Sequence, residues 1–118
     1  MREILFRGKR IDDGAWVYGY LVRHKSGKLV YIYSAKENWF DVHMVIPETV
    51  GQFTGLTAHG KKIFEGDILE WDLAEYGRGY RERVNWSYAL FSMRQSDWRE
   101  WCEVIGNIHD NPELLEVE

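Results

Sequence analysis

Between the turn signals Asp13-Gly14 and Lys25-Ser26-Gly27-Lys28 lies the segment that most restricts the fold, Ala15-Trp16-Val17-Tyr18-Gly19-Tyr20-Leu21-Val22. Aromatic and β-branched residues at this density favour a strand, because they pack well on a pleated surface. Period-two spacing puts Trp16, Tyr18, Tyr20 and Val22 on one face and Ala15, Val17, Gly19 and Leu21 on the other. Both faces are largely apolar, so both need cover. Leu29-Val30-Tyr31-Ile32-Tyr33 returns after the second turn as an antiparallel partner, which makes residues 15–33 a hairpin. The opening run from Arg2 to Arg7 pairs beside it, giving a three-stranded N-terminal β-meander.

The whole chain leans the same way. Its 118 residues contain 6 Trp, 7 Tyr and 5 Phe, with 11 Gly but only 2 Pro, as expected of strands joined by tight glycine turns. The fold class read from this is all-β. With 45% hydrophobic and 29% charged residues the chain has the composition of a folded globule and not of a disordered, collagenous or coiled-coil segment. Cys102 stands alone, so an intrachain disulfide and a thiolate-rich zinc site are both excluded, and a reducing compartment is the natural setting. Only Ile4-Leu5-Phe6 separates Glu3 from Arg7, too short for a signal peptide, and no run approaches the ~18 apolar residues of a membrane span. A cytoplasmic location is the expectation.

Further along, Val42-His43-Met44-Val45-Ile46 reads as a short strand ended by Pro47, while residues 35–40 admit a short helix. Thr49 to Leu56 and Ile63 to Trp71 read as strands around the polar turn Ala58-His59-Gly60-Lys61-Lys62, with Gly66-Asp67 a turn of the kind that feeds a small barrel. A glycine-containing loop over residues 74–79 precedes a half-exposed strand from Tyr80 to Trp86. Tyr88 to Met93 and Trp98 to Ile108 complete the sheet. The tail forms one helical turn, with Asn111 at the N-cap, Pro112 at the first helical position and Leu114 and Leu115 tucked inward.

Three blocks, taken in order, carry a resemblance. Met1-Arg2-Glu3-Ile4-Leu5-Phe6-Arg7-Gly8 comes first, then Gln52-Phe53-Thr54-Gly55-Leu56 with Gly60-Lys61-Lys62-Ile63-Phe64-Glu65-Gly66-Asp67-Ile68. Val104-Ile105-Gly106-Asn107-Ile108 with Asn111-Pro112-Glu113-Leu114-Leu115 closes the set. Together they resemble the YopX protein family of phages and prophages. The resemblance implies one domain over residues 1–118, an N-terminal meander over 1–50 and a small β-barrel with an SH3-like roll over 51–118. It implies no activity and no cofactor. Gly55, Gly66 and Gly106 fall where turns or close backbone approach are expected, and Asp67 is suited to an Asx-type turn, so the signature reads as fold-specifying.

Candidate chemistry is sparse. Glu65, Asp67, Glu70 and Asp72 suggest a divalent-metal site, but on one strand Glu70 and Asp72 share a face that Asp67 does not, so the four fail to converge without a bulge. His43 and His109 each stand near an aspartate but lack an evident nucleophile, and Cys102 reads as a small buried hydrophobe. No catalytic, cofactor or metal residue is assigned. Charge is uneven: residues 1–62 hold 10 Lys and Arg against 6 Asp and Glu, residues 63–118 hold 5 against 13, and the whole chain carries −4. Arg7, Lys9 and Arg10 form the candidate basic patch for single-stranded nucleic acid. Trp16, Val17, Tyr18 and Tyr20 are the candidates for self-association, since surplus aromatic surface suits a protein partner or a second copy. The leading reading is a non-enzymatic interaction module that forms homo-oligomers. A single-stranded nucleic-acid binder is the alternative, and a metal-dependent enzyme comes third.

Overall fold

The computed structural model describes residues 4–35, 40–73, 77–85 and 101–116, with backbone alone at 35, 40, 72, 73 and 77–79. It is mainly β. The described residues form nine strands: β1 (Phe6–Lys9), β2 (Trp16–Arg23), β3 (Val30–Ala35), β4 (Phe40–Val45), β5 (Gly51–Ala58), β6 (Lys61–Phe64), β7 (Asp67–Leu73), β8 (Gly77–Arg83) and β9 (Cys102–Asn107). They pair as two antiparallel sheets, in the orders β4-β3-β2-β1-β5-β6 and β8-β7-β9. The chain divides within β5 into two compact units, Met1–Phe53 and Thr54–Glu118.

The first unit is built on the predicted hairpin. Arg10 N donates to Ala15 O at 2.9 Å across the Asp13-Gly14 turn, and His24 N donates to Leu29 O at 2.8 Å across the Ser26-Gly27 turn. The first half of β2 pairs with β1 and its second half with β3, while β4 adds a further strand to the meander. Val30, Ile32 and Val45 are fully buried, with Phe6, Val17, Leu21 and Val50 packed against them. Each such aliphatic side chain contributes roughly 1.5–3 kcal/mol by leaving water. The Val17 and Leu21 face of β2 is therefore the core face.

A closed barrel does not form here, although the sheet curls toward one. Val45 at the end of β4 bridges Arg10 just beyond β1, supported by Ile11 N to Met44 O at 3.0 Å and Ile46 N to Lys9 O at 2.8 Å. Closure goes no further because the rest of that edge of β1 is taken by β5, which pairs Gln52 with Phe6 and Gly51 with Arg7. Pro47 ends β4 as expected and opens a 3-10 turn, Pro47–Thr49. Buried Thr49 there accepts Lys9 N–H on its Oγ1 at 2.9 Å and donates to Ile46 O at 2.6 Å.

The second unit packs Leu56, Ala58, Ile63, Leu69, Val84 and Cys102 into its own core, with Trp71 and Val104 at the margin. Several boundaries differ from the sequence reading. Gly77 to Gly79 belong to β8 and not to a loop, because a register shift between Trp71 and Asp72 lets the ladder to β7 continue past the point where the glycines suggest a break. β8 ends at Arg83 and β9 starts at Cys102. The C-terminal turn is a 3-10 helix, Pro112–Leu115, in which the Asn111 side chain makes no capping bond. Its Oδ1 reaches back instead to Asn107 N at 3.4 Å. The short helix admitted at 35–40 does not hold at its ends, since Ala35 closes β3 and Phe40 opens β4 and the two pair with each other. Residues 36–39, the strand from Tyr88 to Met93, and Trp86 and Trp98 lie outside the described residues.

Candidate interaction surface

Residues directly opposite one another in an antiparallel pair share a face, so the registers of β1 to β4 define what the first unit shows outward. Arg7 stands opposite Tyr18 and Lys9 opposite Trp16. Tyr20 stands opposite Tyr33, which stands opposite Val42; Val22, Tyr31 and Met44 form the next row. All of these lie on the side of the sheet away from Val30 and Ile32. Tyr18 is 46% exposed, Tyr20 58%, Val22 41%, Val42 51% and Met44 41%, while Tyr31 and Tyr33 are half-buried. This is a contiguous tyrosine and aliphatic surface over three strands. A shallow depression of about 210 Å³, lined by Arg10, Ile11, Asp12, Val42, His43 and Met44, adjoins it.

Of the four self-association candidates, Tyr18 and Tyr20 are on this surface and Trp16 is half-buried beside them. Val17 is not on it, because period two turns it inward to the core. Val22, which period two already sets on the face of Tyr18 and Tyr20, belongs to it too, and Val42 and Met44 complete the surface without having been singled out from sequence. The signal that finds them is the β2–β3–β4 register, which no single-strand pattern contains.

The three candidate nucleic-acid cations lie along β1 and the residue after it without forming one exposed patch. Arg7 is only 6% exposed, with its guanidinium carbon 4.7 Å from the centroid of the Trp16 ring. Lys9 Nζ lies 5.7 Å from the same centroid, so one indole receives both cations. Arg10 Nη2 donates to Asp12 Oδ2 at 2.9 Å, and its Nε lies 3.5 Å from Asp13 Oδ1. The hydrogen bond to Asp12 raises the Arg10 pKa and, reciprocally, lowers that of Asp12.

Two of the carboxylates considered for a metal, Asp67 and Glu70, have other partners. Asp67, which is buried, accepts Phe64 N–H on Oδ2 at 2.7 Å, and Glu70 Oε2 accepts Arg81 Nε at 2.9 Å. No group of three or more potential ligands converges among the described residues. Cys102 is 3% exposed, and burial pushes its thiol up to about 12, the wrong direction for a nucleophile. His109 uses its backbone N–H to reach Asn107 Oδ1 at 3.0 Å, and His43 stands opposite Ile32 on β4.

The signature blocks serve the fold. Thr54 is buried and donates to Ile63 O at 2.8 Å, while its Oγ1 accepts Leu56 N–H at 3.2 Å around Gly55. Gly66 has φ +93°, and its N–H and carbonyl pair with Val84 O and Ile108 N, both at 2.9 Å. A Cβ on Gly106 would meet Asn111 Oδ1 at 2.6 Å and Leu114 Cδ1 at 3.0 Å. Asn107 Oδ1 accepts Asp110 N–H as well as that of His109, both at 3.0 Å, which fixes the turn before Pro112. Among the described residues no helix is long and apolar enough to cross a membrane. Comparison with curated proteins and with solved structures returned no match. The YopX protein family model matches residues 5–116, nearly the entire length, and the chain belongs to that family.

Proposed function

We propose that this chain is a non-enzymatic interaction module of phage origin, working in the cytoplasm of a bacterial host through protein contact that includes self-association. One observation carries the reading: the rows Tyr20–Tyr33–Val42 and Val22–Tyr31–Met44 set aromatic and aliphatic side chains side by side on a solvent-facing sheet. Tyrosine and methionine are enriched where proteins meet, and an exposed apolar patch spread over three strands is more than isolated surface residues account for. The SH3-like roll implied by the resemblance belongs in this reading as the scaffold formed by β5 to β9. Support for it comes from the two tight turns of the second unit, at His59-Gly60 and Glu65-Gly66. Nucleic-acid binding through Arg7, Lys9 and Arg10 is the weaker reading, since Arg7 is buried and Arg10 is engaged by two aspartates.

Light scattering after size exclusion tests the proposal. A mass that is a multiple of 14.0 kDa at micromolar concentration is expected, and 14.0 kDa itself removes self-association. Tyr20→Asp and Met44→Asp should dissociate the oligomer while the far-UV spectrum stays that of a β protein. Val17→Asp should unfold the first unit, because it puts an unpaired charge into the Val30, Ile32 and Val45 core.

A further inference from the structure

The tyrosine surface has a basic border at the β2–β3 turn. No Asp or Glu occurs from Gly14 to Lys36, whereas Arg23, Lys25, Lys28 and Lys36 all do. Lys25 and Lys28 are exposed in the β2–β3 turn next to the Val22 and Tyr31 row, while Arg23 stands opposite Val30 on the other face. Beside Trp16, Lys9 and Arg10 together balance Asp12 and Asp13, so no net charge stands there. Laid against the same surface of a second copy with the strands parallel, the basic border meets cations; with the strands antiparallel it meets the neutral end and gains no opposite charge. An isologous contact through this face therefore leaves the basic turn either opposed or without complementary charge.

The chain carries an acidic counterpart. On β7 to β9, Glu70 stands opposite both Arg81 and Glu103. Arg81 also donates from Nη1 to Leu114 O at 3.1 Å, which brings the Pro112–Leu115 turn to the same side as Glu70 and Glu103. Glu103, Glu113 and Glu116 are exposed, so four carboxylates outnumber two arginines, Arg81 and the exposed Arg83 two residues along β8. Half-buried Leu115 adds an apolar group among them.

Resting on the proposal that the chain self-associates through the tyrosine surface, we infer that the contact is heterologous. The tyrosine surface and basic hairpin turn of one copy dock on the acidic face of Glu70, Glu103, Glu113 and Glu116 of the next. Each copy then offers one donor and one acceptor surface, the arrangement that generates rings or filaments instead of closed two-fold dimers. Single-stranded nucleic acid also satisfies the positive border and finds rings at Tyr18 and Tyr20, so its binding is the competing outcome of the test.

The test is light scattering after size exclusion on the full chain, at about 50 mM and about 500 mM salt, since screening weakens exposed charge pairs. The mass is expected to fall at the higher salt. Lys25→Glu with Lys28→Glu should weaken assembly about tenfold or more, as should Glu113→Lys with Glu116→Lys, and combining all four should restore it. Circular dichroism checks that these exposed substitutions leave the fold unchanged. An oligomer indifferent to salt and to both reversals overturns the heterologous contact and leaves self-association standing. A 14.0 kDa wild-type mass at both salts overturns both. A monomer that binds a labelled single-stranded oligonucleotide at about 50 mM salt, and loses that binding in Lys25→Glu with Lys28→Glu, assigns the surface to nucleic acid instead.

Discussion

The Arg7 guanidinium lies 4.7 Å from the centroid of the Trp16 ring, diagonally across the β1–β2 ladder in which Lys9 is the residue opposite Trp16. A buried arginine is costly unless its charge is compensated, and the face of an indole supplies part of that compensation. Gly51 stands opposite Arg7 on the β5 side, with no side chain to compete for the space above the sheet. Replacing Trp16 by Leu should therefore cost more than its change in apolar area, by about 1 kcal/mol. Urea denaturation of Trp16→Leu, Arg7→Met and the double variant measures the coupling directly, and additive effects within error would refute it.

The turn from β6 into β7 predicts a larger loss. Gly66 sits at φ +93°, and Asp67 Oδ2 accepts the buried Phe64 N–H at 2.7 Å across the same turn. Gly66→Ala strains the backbone by about 1–2 kcal/mol. Asp67→Ala leaves the Phe64 N–H without this acceptor, at a cost of about 1–3 kcal/mol. Asp67→Asn keeps an acceptor oxygen and should recover part of that loss. Thermal melts of the three variants check the order, and equal stability of Asp67→Ala and Asp67→Asn would show that the hydrogen bond contributes little.

Much of the first unit is legible in the residues themselves. The two glycine turns, the period-two faces of β2 and the stop at Pro47 follow from backbone sterics, which act locally. Which face of β2 is inside does not follow, because Tyr18, Tyr20 and Val22 are as apolar to the eye as Val17 and Leu21. The neighbouring strand decides it: Val30 and Ile32 alternate with Tyr31 and Tyr33, and the aliphatic pair packs more densely with Val45. Arg7 is missed for a related reason, since its shelter comes from Trp16, nine positions along the chain. The exposed surface is likewise a property of three strands in register. In the second unit the glycines at 77 and 79 disguise a strand that tertiary pairing imposes.

Arg81 gives a prediction about local opening. Its side chain joins Glu70 on β7 at 2.9 Å and the Leu114 carbonyl at 3.1 Å, so one residue ties the C-terminal turn to the sheet. Both contacts are solvent-exposed, and such pairs add only about 0–1 kcal/mol to global stability. The effect should instead appear locally. In Arg81→Ala the amides of Leu114 and Glu116 should exchange faster with solvent while those of the β7 core barely change. Unchanged exchange at the C-terminal turn would mean that Gly106 and Asn111 hold it without Arg81.

Cys102 provides the last prediction, through pH. It lies opposite Trp71 on β9, 3% exposed and packed with Leu69 and Val84. Burial, with smaller contributions from Glu82 and Glu103, pushes its thiol from an ordinary value of 9.0 up to about 12. The unfolded chain therefore gives up this proton at a lower pH than the folded chain does. Between pH 9 and about 12 the folded state holds more protons, so stability falls as pH rises through that window and is unaffected by this group below it. Cys102→Ala removes the titrating group and should flatten this part of the pH dependence, at the cost of one sulfur's worth of packing. In the native protein near pH 8 the thiol should react with iodoacetamide at a small fraction of its rate in urea. Fast alkylation of the folded chain would place Cys102 at the surface, and an unchanged alkaline slope in Cys102→Ala would assign the pH dependence to other groups.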